Sequence, residues 1–225
     1  MVTTVIATGN YSYLDIVNDV LVRLREPTTN TVRTTKNIVE NMVEALVNDA
    51  YKYVWAAHNW TATQREWQII TEPNRDSYAL EGTEHGARIT GVMNSNGRWL
   101  DQVSHEVASR FNVMSGKVGD AQGFALVATP LSPAVSVRLI PCNDSATLYT
   151  AIGHAGVTPL SRDDDPVVLP YNAVMYYAYA LAARERGEVG GQSVQEIFTM
   201  ANQYISDAIA LDANYASFEQ VWEAV

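Results

Sequence analysis

Apolar residues recur at helical spacing over the first quarter of the chain. In residues 11–25, Leu14, Val17, Leu21 and Leu24 fall three or four apart and share one helical face. Ser12 offers an N-cap oxygen with Asp15 three residues on, and Pro27 ends the segment because residues before proline leave the α region. A polar, threonine-rich loop follows at 28–35. A second helix is predicted over 36–58, where Val39, Met42, Val43, Leu46, Val47, Ala50, Tyr53, Val54 and Ala57 form a wide apolar stripe.

Between about 60 and 155 the helical period is lost. β-Branched and aromatic residues alternate with polar ones in short runs at 67–71, 77–80, 88–93, 123–129, 135–140 and 147–152, which predicts strands. Asn94-Ser95-Asn96-Gly97 reads as a hairpin turn, since Asn-Gly tolerates positive φ. One short helix, at about 104–111, interrupts the strands. Helical spacing returns after Pro170, at 171–186, with Val174, Ala178, Leu181 and Ala182 on one face. Gly187, Gly190 and Gly191 break the chain. Ser193, with Glu196 three residues on, predicts a capping box for a last helix that buries Val194, Ile197, Ala201, Ile205, Ala208 and Ile209.

The expected fold is therefore α+β and mainly α. Two N-terminal and two C-terminal helices (1–60 with 156–212) pack as a bundle, with an inserted antiparallel β module at 61–155 and a C-terminal tail at 213–225. In that tail Tyr215, Phe218 and Trp222 are spaced to share one face if it is helical. Buried aromatic anchors dominate interface energies, so these three are candidates for docking on a partner or on a neighbouring copy. The competing reading is packing against the chain's own helices.

Composition narrows the function classes. The chain has 225 residues, 47% of them hydrophobic and 18% charged, as expected for a folded globular protein. It has no apolar run long enough for a membrane-spanning helix, and residues 1–10 lack the Lys or Arg of a secretory leader, so no membrane association is expected. A single Cys142 excludes an internal disulfide and fits a reducing compartment. The net charge is −10, of which −7 falls in residues 161–225. Gripping nucleic acid requires the opposite sign, because Lys and Arg release counterions from phosphates. An acidic surface instead suits DNA that passes without sticking.

Signatures of catalysis fail on their own residues. Ser115-Gly116-Lys117-Val118-Gly119 has Phe111 where a phosphate loop needs its first Gly, and Val118 where it needs Ser or Thr. His58, His85, His105 and His154 form no zinc-spaced pair; His58 is expected to close a helix, and the others to lie on the surface or in turns. Asp163-Asp164-Asp165 lacks the spread of ligands in a calcium loop and reads as solvated residues ahead of a helix N-terminus. No Gly-x-Ser-x-Gly occurs, and Cys142 has no adjacent basic activator. No catalytic residue, cofactor or metal site is expected.

Three stretches resemble the head-to-tail adaptor family of tailed bacteriophages, the tail tubular protein A of short-tailed phages. The first runs from Leu14-Asp15-Ile16-Val17-Asn18-Asp19-Val20-Leu21 to Glu26-Pro27, with Arg25 where the family usually has Gly. The second is the long helix closing on Asn59-Trp60-Thr61-Ala62-Thr63 and then Trp67. The third comprises Val137-Arg138-Leu139-Ile140-Pro141, residues 147–152, Leu169-Pro170 and the Tyr-rich 171–186. The sequence departs from the family's Tyr-x-Leu-Pro-x-Asp at Tyr78-Ala79-Leu80-Glu81-Gly82.

The resemblance implies a structural virion protein, not an enzyme. It would form a homo-oligomeric, dodecameric ring beneath the portal protein, join the capsid to a distal tail or nozzle protein, and line the channel through which double-stranded DNA leaves. A ring of such chains carries a large negative charge, and Glu185, Glu188 and Glu196 are the candidates to face that channel. Competing readings are a neck or head-completion protein of a long-tailed phage, a small-molecule-binding domain using the β insert, and an enzyme with a dispersed site.

Overall fold

The computed structural model describes residues 11–32, 37–115, 118–129, 132–187 and 194–216. The chain divides into two compact units: residues 1–62 with 158–225, and residues 63–157.

The first unit is helical. Helix α1 (Tyr13–Arg23) begins on the predicted capping box, with the Ser12 and Asp15 side chains each bonded to the other's backbone N–H. It ends where the N–H of Arg25 donates to Val22 O and that of Glu26 to Leu21 O, with Arg25 at φ 58°. This is a Schellman turn whose left-handed position holds an arginine. Helix α2 (Ile38–Ala57) is capped by Asn37, whose side chain accepts from the Glu40 N–H. It buries Val43, Val47, Ala50, Tyr51 and Val54.

Helix α4 (Tyr171–Arg186) packs against α1, α2 and α5 (Val194–Ala216). Its buried residues, Ala173, Val174, Met175, Ala178, Ala180, Ala182 and Ala183, run around the helix and not along one stripe, as expected of a helix enclosed by others. Gly187 closes it at φ 64°. Helix α5 buries Ile197, Ala201 and Ile205. It continues to Ala216, so residues 214–216, read from the sequence as lying beyond the helix, belong to it, and residues 217–225 lie outside the described residues. The Ser193 capping box lies outside the described residues.

Among the described residues the second unit holds seven strands in two sheets. The first sheet has the order β1 (Gln64–Ile70), β7 (Leu148–His154), β3 (Arg88–Asn94). The second has the order β2 (Ser77–Ala79), β6 (Ser132–Ile140), β5 (Gly123–Thr129), β4 (Asp101–Gln102). Trp67, Ile69, Val92, Tyr149 and Ala151 from the first sheet share one core with Tyr78, Phe124, Val137 and Leu139 from the second. Helix α3 (His105–Ser115) contacts β5 and β6, where Ala108 packs with Ala125 and Ile140. Gly153 and Gly156 permit close backbone approach: a Cβ would lie 2.2 Å from Arg88 O at the first and 2.0 Å from Gly86 O at the second.

These observations correct the expected fold class. Among the described residues helix accounts for 43% and strand for 24%, in two sheets, which makes a mixed α/β fold and not a mainly helical bundle with a small inserted β module. The β part is not wholly antiparallel, since β4 pairs parallel with β5. The two-residue β4 and the start of β6 at Ser132 had no clear alternation to announce them, so the strand content was under-read.

Candidate assembly surface

The outward face of α2 is an exposed helical surface that runs the length of the helix. Ile38 is 87% exposed, and Asn41, Ala45, Asp49, Lys52, Tyr53 and Ala56 lie on the same face and are exposed. This face lies opposite the buried Val43, Val47 and Val54. Small and apolar side chains dominate it, with one Asp and one Lys among them. The stripe read from the sequence mixed the two faces: Val43, Val47, Ala50 and Val54 point inward, whereas Tyr53 and Ala57 are exposed.

Tyrosines join the helices behind this face. Tyr53 of α2 stacks on Tyr177 of α4, with ring centroids 4.1 Å apart and planes 9° from parallel. Tyr177 also meets Phe198 of α5 edge-on. The adjacent Tyr176 stacks on Tyr204 of α5 at 4.3 Å, and Arg23 of α1 lies over its ring. Consecutive α4 tyrosines thus tie α5 to α2 and to α1. Hydrogen bonds from Arg23 and Tyr204 hold the Tyr176 phenol below its ordinary pKa, whereas burial and a bond to Tyr53 push Tyr177 up to about 12.

The acidic candidates fall at the α4–α5 connection. Glu185 is exposed in the last turn of α4, 3.5 Å from Arg184, and Arg186 beside it pairs with Glu26 at 2.8 Å. That turn therefore carries mixed charge. Glu196 is exposed in the first turn of α5, where a carboxylate complements the helix dipole. Glu188 lies outside the described residues, as do Phe218 and Trp222. Tyr215 belongs to the last turn of α5.

The aspartate run is a structural tie. Asp163 accepts from Thr31 Oγ1 at 2.8 Å and from the Val32 N–H at 2.6 Å, and its own backbone O accepts from the Leu14 N–H. Asp165 accepts from the Ser161 and Arg162 backbones, which lower its pKa to about 2. Only Asp164 matches the solvated reading, at 81% side-chain exposure. The α4 N-cap is Pro170, with no side-chain cap.

The histidines differ in part from expectation. His58 does close α2, but its Nε2 lies 3.2 Å from Asp212 of α5. His154 is the half-buried last residue of β7, with Nδ1 3.3 Å from Thr63 Oγ1, and not a turn residue. No group of three or more metal-binding side chains occurs among the described residues, and none of the described helices is long and apolar enough to cross a membrane.

A shallow hollow of about 280 Å³ opens beside α2, lined by Tyr13, Val32, Glu44, Asn48, Leu160 and Ser161. It lies in the helical unit and not in the strand-rich one. Its polar groups are engaged in ties within the unit: the Asn48 amide bonds Leu160, Glu44 and Tyr13.

The sequence reading missed the long-range ties of Asn18, Asn48, Asp163 and Asp212. One signal existed, since Asn18 and Asn48 sit next to buried valines in helices, where asparagine is a poor helix former and needs a reason. No family model matches the chain, and no curated protein matches it.

Proposed function

We propose that the chain is a structural subunit that assembles side by side into a ring, as a head-to-tail adaptor between a phage capsid and its tail. The outward face of α2 carries this reading. A 20-residue helix exposes Ile38, Ala45, Tyr53 and Ala56 with only Asp49 and Lys52 as exposed charges on that face. Interface cores are depleted in charge and enriched in aromatic residues such as Tyr. The sequence resemblance at residues 14–27, 51–67 and 137–186 supports the same assignment. The partners would be further copies of this chain, a portal ring and a distal tail protein.

The net charge of −10 fits a ring through which DNA passes without being held. Exposed Glu185 and Glu196 are proposed to face that passage, Glu188 with them, and Tyr215, Phe218 and Trp222 to dock on the portal or a neighbouring copy.

Negative-stain imaging and native mass measurement of the full chain, alone and mixed with a portal ring, test the proposal. Closed rings of about twelve copies are expected, and Ile38→Glu with Ala45→Glu should abolish them without lowering the melting temperature of the subunit. A chain that remains monomeric even with the portal ring, or rings indifferent to both substitutions, would refute it.

A further inference from the structure

Helix α5 is held by two different kinds of contact. Its first half packs through Ile197, Ala201 and Ile205, which are essentially buried. Past Ile205, Ala208 and Ile209 are half-buried and Leu211 is 65% exposed. In this second half, one turn before the helix ends, Asp212 makes a polar contact with the C-terminal end of α2. Its Oδ2 accepts from the Thr61 backbone N–H at 3.0 Å and lies 3.2 Å from His58 Nε2, and its Oδ1 accepts from Thr61 Oγ1 at 2.5 Å. The Asp212 side chain is only 17% exposed.

The receiving side is anchored by a buried tryptophan. His58 is the C-cap of α2, and its ring meets Trp60 edge-on at 5.1 Å. Trp60 is buried and donates from Nε1 to Val54 O at 2.7 Å. Thr61 begins a 3-10 turn that runs to Thr63.

We infer that Asp212 is a latch, holding residues 206–216 of α5 to His58 and Thr61, from which this part of the helix detaches while residues 194–205 stay packed. Water can replace the Asp212 contacts with Thr61 and His58 at small net cost, whereas exposing buried Ile197, Ala201 and Ile205 forfeits their burial energy. The two halves of α5 therefore differ in how readily they open, which is the condition for a local opening unit. This inference does not depend on the ring. In an assembled ring, it would let the end of α5 change partners without disturbing the helical core.

Amide hydrogen exchange on the full chain, with peptide resolution, tests this. In Asp212→Asn and in Thr61→Val, amides of residues 206–216 should exchange about tenfold faster or more, with residues 194–205 and 63–157 unchanged. Exchange at 206–216 unaltered in both variants overturns the latch. Acceleration that extends equally through 194–205 in the mild Thr61→Val variant overturns it as well, because α5 would then open as one piece.

Discussion

Asn48 holds Leu160 by both of its backbone groups. The Leu160 N–H donates to Asn48 Oδ1 at 2.8 Å, and Asn48 Nδ2 donates to Leu160 O at 3.0 Å, across 112 residues of sequence. The same amide reaches Glu44 O and Tyr13 Oη. A side chain here does what a neighbouring strand does elsewhere. Asn18 repeats the device with Thr29, accepting from its N–H at 2.8 Å and donating to its O at 3.0 Å. Asn48→Ala should cost about 1–3 kcal/mol, the range for leaving buried partners unpaired. Asn48→Asp should cost more than Asn48→Ala, because a carboxylate keeps one acceptor and then faces two carbonyls. Urea denaturation of both variants checks the order.

Arg25 occupies the left-handed position of the turn that ends α1, at φ 58°. A Cβ in this region costs roughly 1–2 kcal/mol. Arg25→Gly should therefore stabilise the chain by about 0.5–1 kcal/mol after the entropy that glycine adds to the unfolded state. A lowered melting temperature would contradict this.

Gly153 and Gly156 are fixed by space, not by φ. An added Cβ would lie within 2.2 Å of backbone oxygen at either site, so Gly153→Ala and Gly156→Ala should each cost about 3 kcal/mol or more. Gly97, at φ 77° with open space around its missing Cβ, should lose only about 1 kcal/mol on the same change. Thermal melts of the three variants should separate two severe effects from one mild effect.

Asp165 ties acid stability to the loop ahead of α4. The Ser161 and Arg162 N–H groups, with the Arg162 guanidinium, lower its pKa to about 2. The unfolded chain's aspartate titrates near about 3.9, so the folded state binds its proton less readily. The stabilisation is complete above about pH 4 and is lost as pH falls toward about 2. Asp165→Asn should be less stable than wild type at about pH 7, with the gap closing between about pH 4 and 2. Urea midpoints across that interval measure it.

How far the sequence could be read depended on the range of the forces involved. Helix α1 was legible because its capping box, its apolar spacing and Pro27 all act within one or two turns. Strands β1, β3 and β5 were legible from alternation: β5 at both ends, β3 to within one residue, and β1 with its start placed three residues late. Helix α4 was found, but its burial was read too narrowly: it touches α1, α2 and α5, so no single stripe marks its inner face. Strand β4 has only two residues and exists through its parallel pairing with Gly123 and Phe124, which no local pattern encodes. At the candidate surface, the apolar stripe of α2 was visible, but which of its members face outward was not, because α2 carries apolar residues on both sides. The contacts of Asp163 and Asp212 join residues more than a hundred positions apart, beyond the reach of spacing rules.

The helical unit is interrupted in the chain, whereas residues 63–157 are continuous. On a ribosome, α1 and α2 emerge before α4, the helix that packs against both, which follows only after about a hundred further residues, roughly 5–20 s of synthesis. The strand-rich unit has all of its partners in hand by then and can close its core during translation. Newly made α1 and α2 must wait without the surface that α4 provides, which makes this interval the point at which a nascent chain is most open to association with other copies or to capture by a chaperone.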